Sequence, residues 1–233
     1  MTTTLHADRK VNLMYDVAAN VRLLRGVPDY LVNVYLVGDV LIDASTRMAE
    51  RGLLRQLKGQ RLTAHALTHV HPDHQGASHA VCEAFSIPLR CGEGDAAAME
   101  SGDLSAQIPY NLITGFQSII WTGPAHPVER TLSEGDEVAG FTVLETPGHS
   151  PGHVAFWRES DRTLILGDVA RNIDFLTLRE GLAEPPVIFT PDVKQNRASM
   201  RKLAALNPRT VLFGHGKPLT DGARFVDFAA RLP

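Results

Sequence analysis

Seven side chains suited to metal binding each follow an apolar, strand-like run in this chain. His69, His71, Asp73 and His74 come after TAHALT in the segment HVHPDH, His149 after FTVLETPG, Asp168 after TLILG and His215 after TVLFG. A fold that serves all seven must gather the ends of several strands at one place. Alternate side chains of extended backbone point the same way, so His69 and His71 can reach one ion without the chain doubling back. Pro72 then turns the chain and aims Asp73 and His74 at a different point, which suggests two neighbouring sites. Imidazole and carboxylate donors suit zinc first, and also iron, manganese or cobalt. Gly148, Gly167 and Gly214 directly precede His149, Asp168 and His215; glycine lets the backbone turn sharply and come close to such a site. Asp168 has two oxygens and can bridge two cations, and a cation pair makes hydroxide from water near neutral pH. The chemistry indicated is metal-assisted hydrolysis.

The runs between these residues alternate strand and helix. VNLMYDV (from 11), VRLLRGV (from 21) and YLVNVYLVGDVLIDAS (30–45) read as strands, with Gly38-Asp39 as a tight hairpin. Residues 46–58 switch to helical spacing, with Met48, Leu53, Leu54 and Leu57 on one face. A strand at 62–68, the HVHPDH loop, a short helix in GASHAVCEAF and a strand at IPLRC follow, an α/β pattern. From 131 strand character returns, with Ser160-Asp161 as a hairpin turn. Residues 192–206 form an amphipathic helix, with Val193, Met200, Leu203 and Leu206 inward, and DGARFVDFAARL a last one. One domain spanning residues 1–233 is expected. Residues 93–130 differ, with Gly and Pro scattered among Tyr110, Phe116, Ile119, Ile120 and Trp121. They read as a helical and loop insertion that serves as lid, substrate wall or homodimer contact, or else completes the core.

Composition narrows the function further. A formal net charge of −3 gives no electrostatic reason to expect nucleic acid as partner. Cys82 and Cys91 lack a C-x-x-C pattern and read as reduced thiols of an intracellular protein. The start, MTTTLHADRK, holds no apolar leader, and no run approaches the roughly 20 apolar residues that span a bilayer. A cytoplasmic protein acting on a small molecule, without membrane contact, is the expectation.

The sequence of motifs H-x-H-x-D-H, G-H-S-P-G-H, L-G-D and G-H-G resembles the metallo-β-lactamase-fold hydrolases, from about residue 11 to 222. The glyoxalase II-like and lactonase-like branches are the most similar. The resemblance implies a four-layer αββα sandwich of two mixed sheets, with two divalent metal ions at one edge. His69, His71 and His149 would hold the first ion, Asp73, His74 and His215 the second, and Asp168 would bridge them. A hydroxide shared by the two ions would attack a carbonyl, with Asp73 orienting it or passing on its proton. Asp43, in LIDAS, resembles the family's first motif, where the carboxylate supports the metal loop without binding metal.

The family's fold does not fix its chemistry. True β-lactamases carry Cys, Ser or His where Asp168 stands, and flavodiiron proteins carry Glu where His71 stands. Nucleases of the family usually add a basic arm or a further domain. Glyoxalase II-like thioesterases add a helical region that grips glutathione, whereas eighteen residues follow His215 here. A hydrolase of a small thioester or lactone is the first reading. The alternative is a persulfide dioxygenase-like oxidoreductase with one iron held by His69, His71 and Asp168 or His149. His153 reads as structural. His65, His79 and His126 read as core or surface residues, and His6 as part of a loose tail. Arg171, Asn172 and Tyr110 are candidates for substrate contact or plain surface, and Lys194 and Arg197 for a solvated helix face.

Overall fold

Short strands with apolar residues on both faces can be satisfied only by cover on both sides, and this chain covers two sheets in that way. A computed structural model describes residues 14–233; the first residues of the strand expected from 11, and His6, lie outside them. The first sheet has seven strands in sequence order: β1 (Met14–Ala18), β2 (Val21–Leu24), β3 (Tyr35–Val37), β4 (Val40–Ile42), β5 (Ala64–Ala66), β6 (Leu89–Gly92) and β7 (Val128–Leu132). β1 to β4 pair antiparallel, and β4 to β7 pair parallel. The second sheet runs in the order β12 (Thr210–Leu212), β11 (Thr163–Ile165), β10 (Val154–Arg158), β9 (Phe141–Glu145) and β8 (Glu137–Val138), with β11 and β12 parallel and the other pairs antiparallel.

The two-residue periodicity of the strands builds three apolar layers. Val21, Leu23, Tyr35, Val37, Phe141, Val143, Val154 and Phe156 face each other between the sheets. Leu24, Leu36, Leu41 and Leu89 point outward from the first sheet against α1 (Glu50–Leu57), α3 (Ser78–Phe85) and α4 (Glu93–Ser101), meeting Leu53, Leu57, Val81 and Met99. Ala155, Trp157, Leu164 and Val211 point outward from the second sheet against α6 (Val193–Ala205) and α7 (Ala223–Ala230), meeting Met200, Leu203 and Phe225. The result is the expected αββα order of layers.

Several local expectations shift. Of the run 30–45 only β3 and β4 are strand, joined at Gly38 (φ +59°) as expected. The helix expected over 46–58 opens as a 3₁₀ turn at Arg47–Ala49, which leaves Met48 exposed instead of inward with Leu53 and Leu57. Val193 and Leu206 are only partly buried, whereas Asn196 and Ser199 share the buried face of α6 with Met200 and Leu203. Residues 93–130 connect β6 to its parallel neighbour β7, a pairing that requires a long crossover. They open with α4, their middle contains α5 (Leu112–Trp121), and their last residues already belong to β7. Tyr110, Phe116 and Ile119 stay exposed and do not complete the core.

Candidate metal centre

Four of the loops that follow these strands converge at one edge of the sandwich. HVHPDH follows β5, the loop carrying His149 and His153 joins β9 to β10, Asp168 follows β11 and His215 follows β12. His69, His71 and His149 stand with ring centroids 4.5–4.9 Å apart, and His69 lies 4.2 Å from His74. Three groups, His69–His71–His149, His69–His74–Asp168 and Asp73–His74–His215, each bring their donor atoms within 4.8 Å of one another. All seven predicted residues therefore meet in one cluster, with six buried and Asp73 half-buried.

Each imidazole is oriented by the hydrogen bond of its outer nitrogen, and that bond leaves the inner nitrogen with its lone pair. The Nδ1 of His69 donates to Thr68 Oγ1 (2.9 Å), whose hydroxyl donates to Asp43 Oδ2 (2.9 Å). The Nε2 of His71 donates to the carbonyl of Gln107 (3.0 Å), so His71 offers Nδ1 where the others offer Nε2. The Nδ1 of His74 donates to Asp43 Oδ2 (2.9 Å), that of His149 to Thr190 Oγ1 (3.1 Å), and that of His215 to the carbonyl of Leu31. The inward Nε2 atoms of His69, His74 and His149, and Oδ1 of Asp168, are buried without a hydrogen-bond partner among the described residues. Buried polar atoms left unpaired in one small space are what a cation site requires before the cation is counted. The residues present fit a divalent metal pair.

The protonation pattern agrees. Burial alone would lower His74 and His215, yet the carboxylates around them, Asp168 foremost, outweigh it and raise His74 well above the usual imidazole range and His215 to about 10. Burial would raise Asp168 and Asp73, but the imidazoles of His215 and His74 hold both below the ordinary carboxylate range. Burial, reinforced by neighbouring imidazoles, lowers His69 and brings His71 to about 3. The carboxylates of Asp73 and Asp168 thus favour positive charge at His74 and His215, the same electrostatic preference that a cation would satisfy.

Asp43 takes the supporting place expected of it, accepting from Thr68 N (2.8 Å), Thr68 Oγ1 and His74 Nδ1. It adopts φ +60°, a conformation that Asp tolerates better than most residues. Gly148 and Gly167 have φ of +132° and +56°. A Cβ on Gly214 would lie 2.0 Å from Asp168 Oδ1, so close approach explains that glycine. His153 is structural: its Nδ1 bonds Thr146 Oγ1 (2.8 Å) and its Nε2 accepts from the backbone N–H of Asp168 (3.1 Å). Arg171 lines the cavity over the cluster. Asn172 is buried and donates to the Lys217 carbonyl, and Tyr110 stands outside the cavity.

Sequence reasoning missed Asp95. This fully buried carboxylate accepts from Val70 N (3.0 Å), Ser150 Oγ (2.8 Å) and Gly152 N (2.6 Å), and so ties the HVHPDH loop to the His149 loop. Its place just past β6, in GEGD, repeats the strand-end position of the other acidic residues and was the available signal. Asn33 and Tyr35 were missed too; both donate to the Phe213 carbonyl and fix the approach to His215.

The model of the metallo-beta-lactamase superfamily matches residues 27–215. "Probable metallo-hydrolase YflN" of Bacillus subtilis (strain 168) is 28% identical over 224 residues, covering 84% of this chain and 85% of its own length. The hydroxyacylglutathione hydrolase of Bdellovibrio bacteriovorus is 28% identical over 65% of this chain and 48% of its own length. The crystal structure of TTHA1623 in a di-iron-bound form is 31% identical and superposes with a TM-score of 0.61, covering 92% of this chain and 96% of that one. No helix among the described residues is long and apolar enough to cross a membrane. With the family model matching most of its length and the di-iron-bound structure superposing over nearly all of it, the chain belongs to the metallo-β-lactamase superfamily of metal-dependent hydrolases.

Proposed function

We propose that the chain hydrolyses an ester-type bond, a thioester or a lactone, in a small substrate. His69, His71 and His149 would hold one cation, Asp73, His74 and His215 a second, and Asp168 would bridge them. Zinc is the first choice, and iron is supported by the di-iron form of a relative. The observation that carries the reading is the set of buried, inward-facing donor atoms of His69, His74, His149 and Asp168 that lack a hydrogen-bond partner among the described residues, two of which, on His149 and Asp168, belong to residues that line an open cavity of about 1110 Å³. When bound, two such cations supply a hydroxide nucleophile at neutral pH and polarise the carbonyl.

The chain's own residues do the rest. Asp73 lines the cavity, with Oδ2 3.3 Å from His215 Nε2. Held ionised by its imidazole neighbours, it accepts a hydrogen bond from the attacking water and orients it, or passes the water's proton on to the departing sulfur or oxygen. The acyl carbon thus gains a bond to the water oxygen and loses its bond to the leaving group. The outer hydrogen bonds of the five imidazoles hold the donors in place and avoid reorganisation during the reaction. The thioester reading draws on the hydroxyacylglutathione hydrolase relative. The complete Asp73–His74–His215 group favours hydrolysis over the dioxygenase alternative, which leaves those residues without a metal.

The test is the protein stripped of metal and reloaded with zinc, iron or manganese, assayed against thioesters, lactones and phosphodiesters. Thioester or lactone turnover that Asp73→Ala cuts by about 10²-fold or more is expected. Full activity in Asp73→Ala, or turnover of phosphodiesters alone, would overturn it.

A further inference from the structure

The cavity over the cluster sits at or above the upper end of the roughly 300–1,000 Å³ range of small-molecule sites. Its mouth is ringed by large apolar side chains from five separate segments: Val27 (99% exposed), Leu176 (95%), Met48 (72%), Ile113 and Ile188. One such side chain left in water is ordinary, but five segments converging on one opening make a surface that a ligand covers.

The charged groups of the wall are already engaged by the protein, and Ser45, Thr46 and Gln117 add neutral polar groups. The amide of Gln56 exchanges two hydrogen bonds with the backbone of Arg25 (both 2.9 Å). The guanidinium of Arg25 pairs with Asp29 (3.4 Å). Arg171 donates to the carbonyls of Glu184 and Ile173 and stacks over the Phe175 ring at 4.9 Å. Asp174 accepts from its own turn, from the N–H groups of Leu176 and Thr177. The wall therefore offers a ligand mainly apolar surface, with its two guanidinium groups each held by a protein acceptor, Arg25 at its Nε alone. Hydrogen-bonding and charged chemistry are concentrated at the floor, at Asp73, Asp168 and the histidines.

Resting on the hydrolase reading above, we infer that the substrate carries a straight, uncharged acyl chain, which lies along this apolar wall while its carbonyl reaches the floor. Hydrolysis breaks the bond from the acyl carbon to sulfur or oxygen, joins that carbon to the oxygen of water and passes a water proton to the leaving atom, giving a fatty acid and a thiol from a thioester, or one ring-opened hydroxy acid from a lactone.

Two experiments test this. The metal-loaded enzyme is assayed on acetyl, butyryl, hexanoyl, octanoyl and decanoyl thioesters of one small uncharged thiol. kcat/KM is expected to rise roughly two- to fourfold per methylene along the series. Leu176→Asp, at a site too exposed to matter for folding, should lower the decanoyl value at least tenfold more than the acetyl value. Separately, the fluorescence of Trp121, which lines the cavity, is titrated in metal-free protein with alcohols from butanol to decanol; affinity should climb with the same slope. A flat series in either experiment, or a Leu176→Asp effect independent of chain length, overturns the inference and leaves the hydrolase reading intact. Absence of turnover on every thioester and lactone defeats the hydrolase reading instead, and the alcohol titration still decides the binding claim.

Discussion

Asp95 gives the account its sharpest quantitative prediction. Its carboxylate is buried and accepts three donors from two different loops: Val70 N–H and Ser150 O–H at Oδ2, and Gly152 N–H at Oδ1. Asp95→Ala leaves those donors buried and unpaired, at about 1–3 kcal/mol each. Part of this is offset, because burial already pushes the carboxyl pKa up and the alanine variant no longer buries a charge. A net loss of about 3–5 kcal/mol follows. Asp95→Asn keeps an acceptor for the two donors at Oδ2 and turns an NH₂ toward Gly152, so it loses about 1–3 kcal/mol. Urea unfolding of metal-free protein measures both. Isothermal titration with zinc should show weaker binding in the same order, because the staple sets the distance from His69 and His71 to His149. An alanine variant within about 1 kcal/mol of wild type, with unchanged zinc affinity, would refute the reasoning.

Two further predictions follow from the same network. Asp43→Ala frees both Thr68 and His74 from their anchor and should weaken metal binding by roughly 10- to 100-fold, read by competition with a chromogenic chelator. His65 is buried, with Nδ1 on the Leu41 carbonyl (3.0 Å) and Nε2 against Ser78 Oγ (2.8 Å), and burial lowers its pKa from 6.5 to about 4. The unfolded chain therefore takes up the proton first. Stability should be unaffected by this group above pH 6.5 and fall by roughly 3 kcal/mol as pH drops through the window to about 4. Denaturation of wild type and His65→Gln across that window should show a shallower slope in the variant, and equal slopes would contradict it.

The candidate centre was legible in the sequence because the signals for its donor residues are local. A histidine pair two residues apart and single residues after glycine at strand ends carry their geometry in their spacing, and the same holds for Asp43 after β4. What was not legible acts over distance or through backbone. Asp95 reaches Ser150 across 55 positions, and Gln107 and Leu31 contribute carbonyls that any residue could supply. Met48 was not legible because an apolar side chain in a helical pattern reads as core, whereas here it lines the open cavity over the cluster. Residues 93–130 were misjudged at their end because β7, with only Leu132 fully buried, lacks a strong strand pattern.

The most direct measurement is the number of cations bound per chain after removal of metal and reloading with zinc, counted by plasma mass spectrometry on wild type, His69→Ala and His215→Ala. Two per wild-type chain are expected, with a loss of bound metal and of hydrolysis in each variant. A single cation per wild-type chain, or a His215→Ala protein that still holds two as tightly, would contradict the paired site.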